Sequence, residues 1–293
     1  MQYFIGIDAG GTSCRARLVD AQGRVLGSGR AGAANLRVGA EQAFREIEAA
    51  CGEAAAMAGL AASDLSRAHA GIGIAGISRP GARNALLAQP LPFRSTGLVS
   101  DAQIALLGAH SGQDGAIVIV GTGSIGLARV DGAEFTVGGY GFPVSDGGSG
   151  ADIGLRAVRK ALQAHDGRIA PSPLTAEVLE RFNGSPAEII RWMDGATATD
   201  YATLAPVVVR HAGHGDPVGR IIMTKAAWHV ETMVRALVDR GAPQCAMIGG
   251  LSREVSKWLP PDIRAFLKDP DADPLDGALI LARSIAHQPA GTA

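Results

Sequence analysis

Apolar and polar positions change rhythm several times along the chain. Tyr3 to Ile7 is a short apolar run closing on Asp8, the pattern of a buried strand, and Ala9-Gly10-Gly11-Thr12 follows as a tight turn. Cys14 to Asp20 alternates like a half-buried strand. Ala21-Gln22-Gly23 is a turn, and Arg24 to Ser28 is a third strand. Strand, turn, strand, turn, strand predicts an antiparallel opening and not a βαβ unit. From Gly39 to Ala58 the apolar positions Ala43, Phe44, Ile47, Ala50 and Cys51 recur at helical spacing. Ala68 to Gly76 reads as a buried strand, Arg79 to Gln89 as a helix, Gly97 to Asp101 as a short strand ending in an acid, and Ala102 to His110 as a helix.

A polar, turn-rich break at Ser111–Gly115 predicts a domain boundary. Beyond it the opening pattern repeats: Gly115–Val120 as strand, Gly121-Thr122-Gly123-Ser124 as turn, Ile125–Val130 as strand, Asp131-Gly132 as turn and Glu134–Gly139 as strand. The duplication is one of pattern, not of residues. Helices are expected over about 151–165, 174–182, 186–194, 199–213 and 216–240. A strand follows at Gln244–Ile248, closing on Gly249-Gly250-Leu251, then a last helix near 275–287, with the tail Gln288–Ala293 frayed.

Composition narrows the classes. The 293 residues suffice for two domains, each able to bury its own core. Hydrophobic residues are 47% and charged residues 19%, a globular balance. Lys+Arg 27 against Asp+Glu 28 leaves a net charge of −1, without the basic excess of a nucleic-acid binder. Cys14, Cys51 and Cys245 are widely spaced and form no CxxC, which excludes a disulfide framework and fits a reducing cytoplasm. The start MQYFIGIDAGG lacks a signal peptide's basic segment, and no apolar run approaches the roughly 18 residues of a membrane span. Gly 40 is about twice the usual 7%. That excess predicts many tight turns or places where bare backbone approaches a ligand.

Several stretches are candidates for chemistry, each with a plainer reading beside it. In Asp8–Thr12, Gly10 and Gly11 would let backbone N–H groups face an anion, Thr12 adds a hydroxyl, and Asp8 could hold a hydrated metal ion; a simple hairpin turn fits the same residues. Gly121–Ser124 is a second turn of the kind, weak alone. The matching pair points to one nucleotide phosphate tail held between two domains. Gly249-Gly250-Leu251 reads either as a nucleoside platform or as a tight strand-to-helix turn. Asp101 is either a helix N-cap or a general base at a strand end. The glycine-dense stretch 138–150 carries Tyr140, Phe142, Pro143, Val144 and Asp146, which favours an ordered substrate loop over a linker. No Walker A sequence occurs, and no dinucleotide fingerprint opens a βαβ unit.

The ordered set Asp8–Thr12, Asp101, Gly121–Ser124 and Gly249–Leu251 resembles the phosphate-one, acid, phosphate-two and adenosine motifs of the sugar-kinase, actin and heat-shock-chaperone ATPase superfamily. Within it the chain is similar, over about residues 3–287, to the BadF/BadG/BcrA/BcrD-type ATPases, on the branch of N-acetylglucosamine and glucosamine kinases. The resemblance implies an α/β fold of two ribonuclease-H-like, actin-like ATPase domains around a central cleft: residues 1–113 completed by a C-terminal helix 275–288, and residues 114–274. It implies ATP and Mg2+ as cofactors, with Asp8 near the metal and Gly10, Gly11, Thr12, Gly121, Thr122, Gly123, Ser124, Ala212, Gly249 and Gly250 at the nucleotide. Asn35, Asp101, Gly139, Tyr140, Gly141 and Asp146 would meet the sugar, with Asp101 taking the proton of its 6-hydroxyl.

What the resemblance implies is therefore an ATP-dependent hexosamine kinase acting on N-acetylglucosamine or glucosamine. Its partners are a small-molecule sugar and ATP, without nucleic acid or membrane; a homodimer and a cytoplasmic setting accompany it. Two departures matter. Arg37 follows Leu36 where mammalian acetyl-sugar kinases carry an aromatic residue, leaving room for free glucosamine. The cysteines that ligate a cluster in the family's dehydratase activators have no counterpart near 138–155. The rival readings are such an ATPase activator and a nucleotide-dependent sensor that transfers nothing.

Overall fold

The computed structural model describes residues 2–287; the expected frayed tail 288–293, and with it the last residue of the expected terminal helix, lies outside the described residues. The chain forms two compact units, one of residues up to Gln113 together with those from Pro270, the other Asp114–Asp269. The return to the first unit precedes the expected position 275. Asp271 and Ala272 already donate backbone N–H groups to Ala109 and Gly108, each at 3.1 Å.

The first unit opens with β1 (Tyr3–Ala9), β2 (Cys14–Asp20) and β3 (Val25–Ala31), an antiparallel meander. Helix α1 (Ala40–Met57), a 3-10 turn at Ala62–Arg67, β4 (Ala68–Ile74), α2 (Ala82–Leu87), β5 (Ser95–Val99) and α3 (Asp101–Ala109) follow. The sheet order is β3-β2-β1-β4-β5, with β1, β4 and β5 parallel. Both faces of β1 are covered, which is why it reads as a continuous apolar run and not an alternation. Its odd positions Tyr3, Ile5, Ile7 and Ala9 pack with Ala43, Ile47 and Ala50 of α1. Phe4, on the other face, packs with Leu279 and Ala282 of the final helix, Pro274–Ala286.

The second unit repeats the plan. It runs β6 (Gly115–Val120), β7 (Ser124–Val130), β8 (Ala133–Gly138), then helices α4 (Gly150–His165), α5 (Pro173–Glu180), α6 (Pro186–Met193), α7 (Ala198–Ala202), α8 (Ala205–Gly213) and α9 (Pro217–Val238). It ends with β9 (Cys245–Ile248), α10 (Ser252–Ser256), α11 (Pro261–Arg264) and the short β10 (Leu267–Lys268). The final helix of the first unit is thus α12. The order β10-β9-β6-β7-β8 matches the first sheet strand for strand, with β6 parallel to β9 and antiparallel to β7. The helical core of this unit gathers Ile153, Ala157, Leu174, Val208, Ile222, Ala226 and Val230 against Ala116, Val118 and Val120.

Three sequence expectations change. The helix expected over 199–213 is two, because Pro206 has no N–H to donate to the preceding turn and restarts the chain as α8. The helix expected from Arg79 begins only at Ala82, after Gly81 in the left-handed region at φ 76°. The glycine excess serves packing more than ligands. A Cβ on Gly71 would collide with the Ala278 carbonyl of α12, and one on Gly27 with the Ala54 carbonyl of α1, so bare strands let helix backbones lie directly on the sheet. Among the described residues no helix is long and apolar enough to cross a membrane.

Candidate functional site

In the first unit the candidate residues collect at the carboxyl ends of the parallel strands β1, β4 and β5, the edge where open α/β sheets bind ligands. Backbone bonds stitch the loops there. Ala75 N donates to Ala9 O at 3.0 Å, Ala34 N to Gly10 O at 3.0 Å, and Leu36 N to Ala75 O at 2.9 Å. The Gly10–Thr12 turn is closed by Gly10 N donating to Ser13 O at 3.0 Å, which leaves Gly11 and Thr12 exposed. Asn35 is buried, and its Oδ1 accepts the Arg37 N–H at 3.0 Å.

Asp8 and Asp101 belong to this same edge. The cross-strand register sets Asp8 opposite Arg15, and Arg15 Nη2 meets Asp8 Oδ2 at 2.5 Å. Asp101 is not the N-cap of α3. Ser100 takes that position, its Oγ accepting from Gln103 N at 3.1 Å while Gln103 Oε1 accepts from Ser100 N at 2.8 Å. Asp101 is thereby freed from capping and stands as the first helical residue. Its Oδ1 accepts the adjacent Ala102 N–H at 3.0 Å, and its own backbone N–H also bonds the carboxylate. Burial pushes its carboxyl above the ordinary 3.8, and the negative charge of Asp8 pushes the same way. A carboxylate with raised proton affinity, fixed at a strand end, is what a general base needs.

The second unit builds a corresponding edge at the ends of β6 and β9. The Gly121–Ser124 turn is closed by Gly121 N donating to Gly123 O at 2.9 Å. The first two residues of α4 are bonded onto it, Gly150 N to Gly121 O at 2.8 Å and Ala151 N to Thr122 O at 3.1 Å. Those helix N–H groups fix the turn and are not left to face an anion. Gly249, at φ 101°, lies flush on β6, where a Cβ would stand 2.5 Å from Val120 O, and Leu251 N donates to that carbonyl at 3.0 Å. Gly250 stays exposed beside it.

Asp146 belongs to this cluster as well. Its carboxylate is 2.7 Å from where a Cβ of Gly123 would be, so a side chain there would have to displace it. Burial raises its proton affinity, opposed by hydrogen bonds from the Gly141 and Ser124 N–H groups. Gly139 and Gly141 both take positive φ around Tyr140, which stands 84% exposed. Ala212 belongs to the helical part of this unit. It is buried in α8, close against Gly219 of α9, and its side chain has a packing role there. Sequence reading passed over Arg15, whose signal was its place opposite Asp8 once the Gly10–Ser13 turn fixes the register.

The repeated five-strand plan with a Gly/Thr turn in each half defines an actin-like ATPase fold. A ROK family glucokinase from Streptomyces griseus, solved with glucose and AMPPNP, shares that fold at a TM-score of 0.56 and 18% identity, over 96% of this chain and 98% of that one. The chain belongs to the BadF/BadG/BcrA/BcrD ATPase family, whose model matches residues 5–282. It is 38% identical to the glucosamine kinase GspK of Vibrio cholerae, over 98% of each chain. It is 29% identical to an N-acetylmuramic acid/N-acetylglucosamine kinase of Clostridium acetobutylicum, over 97% of this chain and 99% of the relative. A crystal structure of a candidate N-acetylglucosamine kinase from Chromobacterium violaceum is similar at a TM-score of 0.89 and 36% identity, over 96% of this chain and 99% of that one.

Proposed function

We propose that this protein transfers the terminal phosphoryl group of ATP to the 6-hydroxyl of an amino sugar, with glucosamine as the first candidate. The placement of Asp101 carries the reading: a carboxylate of raised proton affinity on the strand-end edge that also bears the Gly10–Thr12 turn. The 38% identity to a glucosamine kinase supports the sugar class.

In this reading Asn35, Asp101, Gly139, Tyr140, Gly141 and Asp146 bind the sugar. Asp101 accepts the 6-hydroxyl proton as that oxygen forms its bond to the γ-phosphorus, and the bond from phosphorus to the departing ADP oxygen breaks. The transition state is loose, so fixed donors and positioning supply most of the rate. Gly11, Thr12, Thr122 and Gly123 would offer those donors to the phosphates, with Gly10, Gly121 and Ser124 shaping the turns that present them, while Gly249 and Gly250 give the nucleoside a surface without side chains; Ala212 would meet a nucleotide through its backbone.

Magnesium is proposed to arrive with the nucleotide. Among the described residues no group of three or more His, Cys, Asp or Glu could hold a metal alone. That fits an ion that keeps several waters and takes one or two carboxylates besides phosphate. Asp8 would hold it, and the ion would neutralise phosphate charge. A cytoplasmic setting and a homodimer complete the proposal.

The test is a coupled assay of ADP release with glucosamine, N-acetylglucosamine, N-acetylmannosamine, glucose and no sugar. Release that depends on an amino sugar, with product phosphorylated at position 6, is the expected result. Release indifferent to every sugar would overturn the reading in favour of an ATPase activator, and no release would favour a sensor.

A further inference from the structure

We propose that His229 is a positioning residue for sugar binding, acting through Arg156 and Asp152 on the Gly147-Gly148 turn next to Asp146. The proposal rests on the reading of Asp146 as a sugar-binding residue. His229 lies on α9, far in sequence from the loop it would govern, and belongs to none of the motifs described above.

The connection is continuous. Arg156 Nη2 lies 3.1 Å from His229 Nε2. Arg156 Nε donates to both oxygens of the buried Asp152 at 2.9 Å. Asp152 Oδ2 in turn accepts the Gly148 N–H at 2.9 Å. The turn is gripped from two more sides: Ser124 Oγ donates to Gly147 O at 2.9 Å, and a Cβ on Gly147 would stand 2.6 Å from His229 Nδ1, so its Cα lies flush on the imidazole. Phosphate turn two, Asp146 and the His229 ring therefore share one short piece of backbone. Asp146, Arg156 and His229 also line a common cavity of about 340 Å3.

The chemistry of the contact fixes the state of the histidine. A guanidinium has donors only, so Nε2 must accept and the ring must be neutral, with its proton on Nδ1. Burial lowers the proton affinity of His229. Asp152 opposes this, while Arg156 on α4 and Lys225 on its own helix lower it further. Arg159 also borders the cavity. Protonating His229 would set an N–H against the Arg156 N–H, so that donor faces donor and cation faces cation; the contact would break, and Arg156 would lose the partner that fixes it on Asp152, the acceptor of the Gly148 amide.

Three measurements decide the matter, with the wild-type protein assayed on glucosamine beside the variants. His229→Phe keeps the ring volume and loses the acceptor; its sugar KM should rise about tenfold, the scale of one buried hydrogen-bond partner removed, with kcat and the ATP KM changed less than about threefold. His229→Gln offers an amide oxygen to Arg156 and should restore most of that loss. The wild type's sugar KM should rise toward acid pH, and His229→Gln should abolish that rise. Nitrogen-15 NMR of the wild type at neutral pH should find Nδ1 protonated and Nε2 bare, which tests the contact even if a variant does not fold. A His229→Phe protein with unchanged sugar KM, a His229→Gln protein no better than His229→Phe, or the Nε2–H tautomer would each overturn the proposal. Failure of the wild type to use any amino sugar would instead remove the reading beneath it, leaving the tautomer result intact.

Discussion

Asp101→Asn is expected to separate turnover from stability. The amide is nearly isosteric, its oxygen can still accept the Ala102 N–H, and the Ser100–Gln103 cap of α3 does not involve it. It cannot accept the 6-hydroxyl proton. A positioned general base supplies about 10²–10⁴-fold, equivalent to roughly 2.7–5.5 kcal/mol of transition-state stabilisation, so kcat should fall by that factor with nucleotide affinity kept. The folded environment holds the Asp101 carboxyl above its ordinary 3.8, through burial first and the charge of Asp8 second. An acid raised on folding costs stability once pH exceeds its unfolded value, and the cost is fully present above its folded value. The variant should therefore unfold at the same or a higher temperature than the wild type at neutral pH, and the difference should vanish in acid. Turnover by the coupled ADP assay, nucleotide titration and thermal melts at two pH values measure all three. Turnover within about threefold of wild type on its best sugar would refute the base assignment. A variant clearly less stable at neutral pH would refute the electrostatic argument.

Three further expectations follow from the same unit. Asp8→Asn removes the charge that raises Asp101, so carbon-13 NMR of the Asp101 carboxyl should titrate at lower pH than in the wild type. Gly71→Ala puts a Cβ into the Ala278 carbonyl of α12; a loss of roughly 1–3 kcal/mol or more is expected in the denaturant midpoint. Arg17→Met breaks the contacts at 2.8 Å and 2.7 Å to Asp273 and Asp276 at the start of α12, and because these are partly exposed the cost should be about 1 kcal/mol and smaller in high salt. Burial would raise the Asp273 carboxyl, yet the Arg17 hydrogen bond and its neighbours hold it below 3.8. That contribution is present above the ordinary value and fades as pH falls below it, so the Arg17→Met deficit should shrink in strong acid.

Much of the architecture was legible because its signals are local. The strands around Asp8–Thr12 and Gly121–Ser124 show themselves by apolar runs and turn residues within a few positions, and the repetition between the halves follows from those alone. Asp101 was legible as a candidate, but its release from capping depended on Ser100 and Gln103 closing a box around the same turn. The split between α7 and α8 was readable in Pro206, whose consequence inside an otherwise helical pattern is physical. Other features depend on distant partners. Gly71 and Gly27 look like ligand-facing glycines until a helix backbone is found lying on them. Nothing local joins His229 to Arg156, seventy-three positions away. The Asp8–Arg15 pair needs the strand register before it exists.

The placement of α12 has a consequence for biosynthesis. The second unit is one uninterrupted stretch, whereas the first needs residues from both sides of it. As the chain leaves the ribosome, β1 and β4 emerge early, but the helix that covers Phe4, Gly6 and Gly71 comes only after the whole second unit has been made. The later-encoded half can thus complete its core before the earlier one does, and the first sheet must wait with the part of one face that α3 does not reach uncovered. Over that interval, chaperone capture or self-association of nascent chains would centre on residues 3–9 and 68–74.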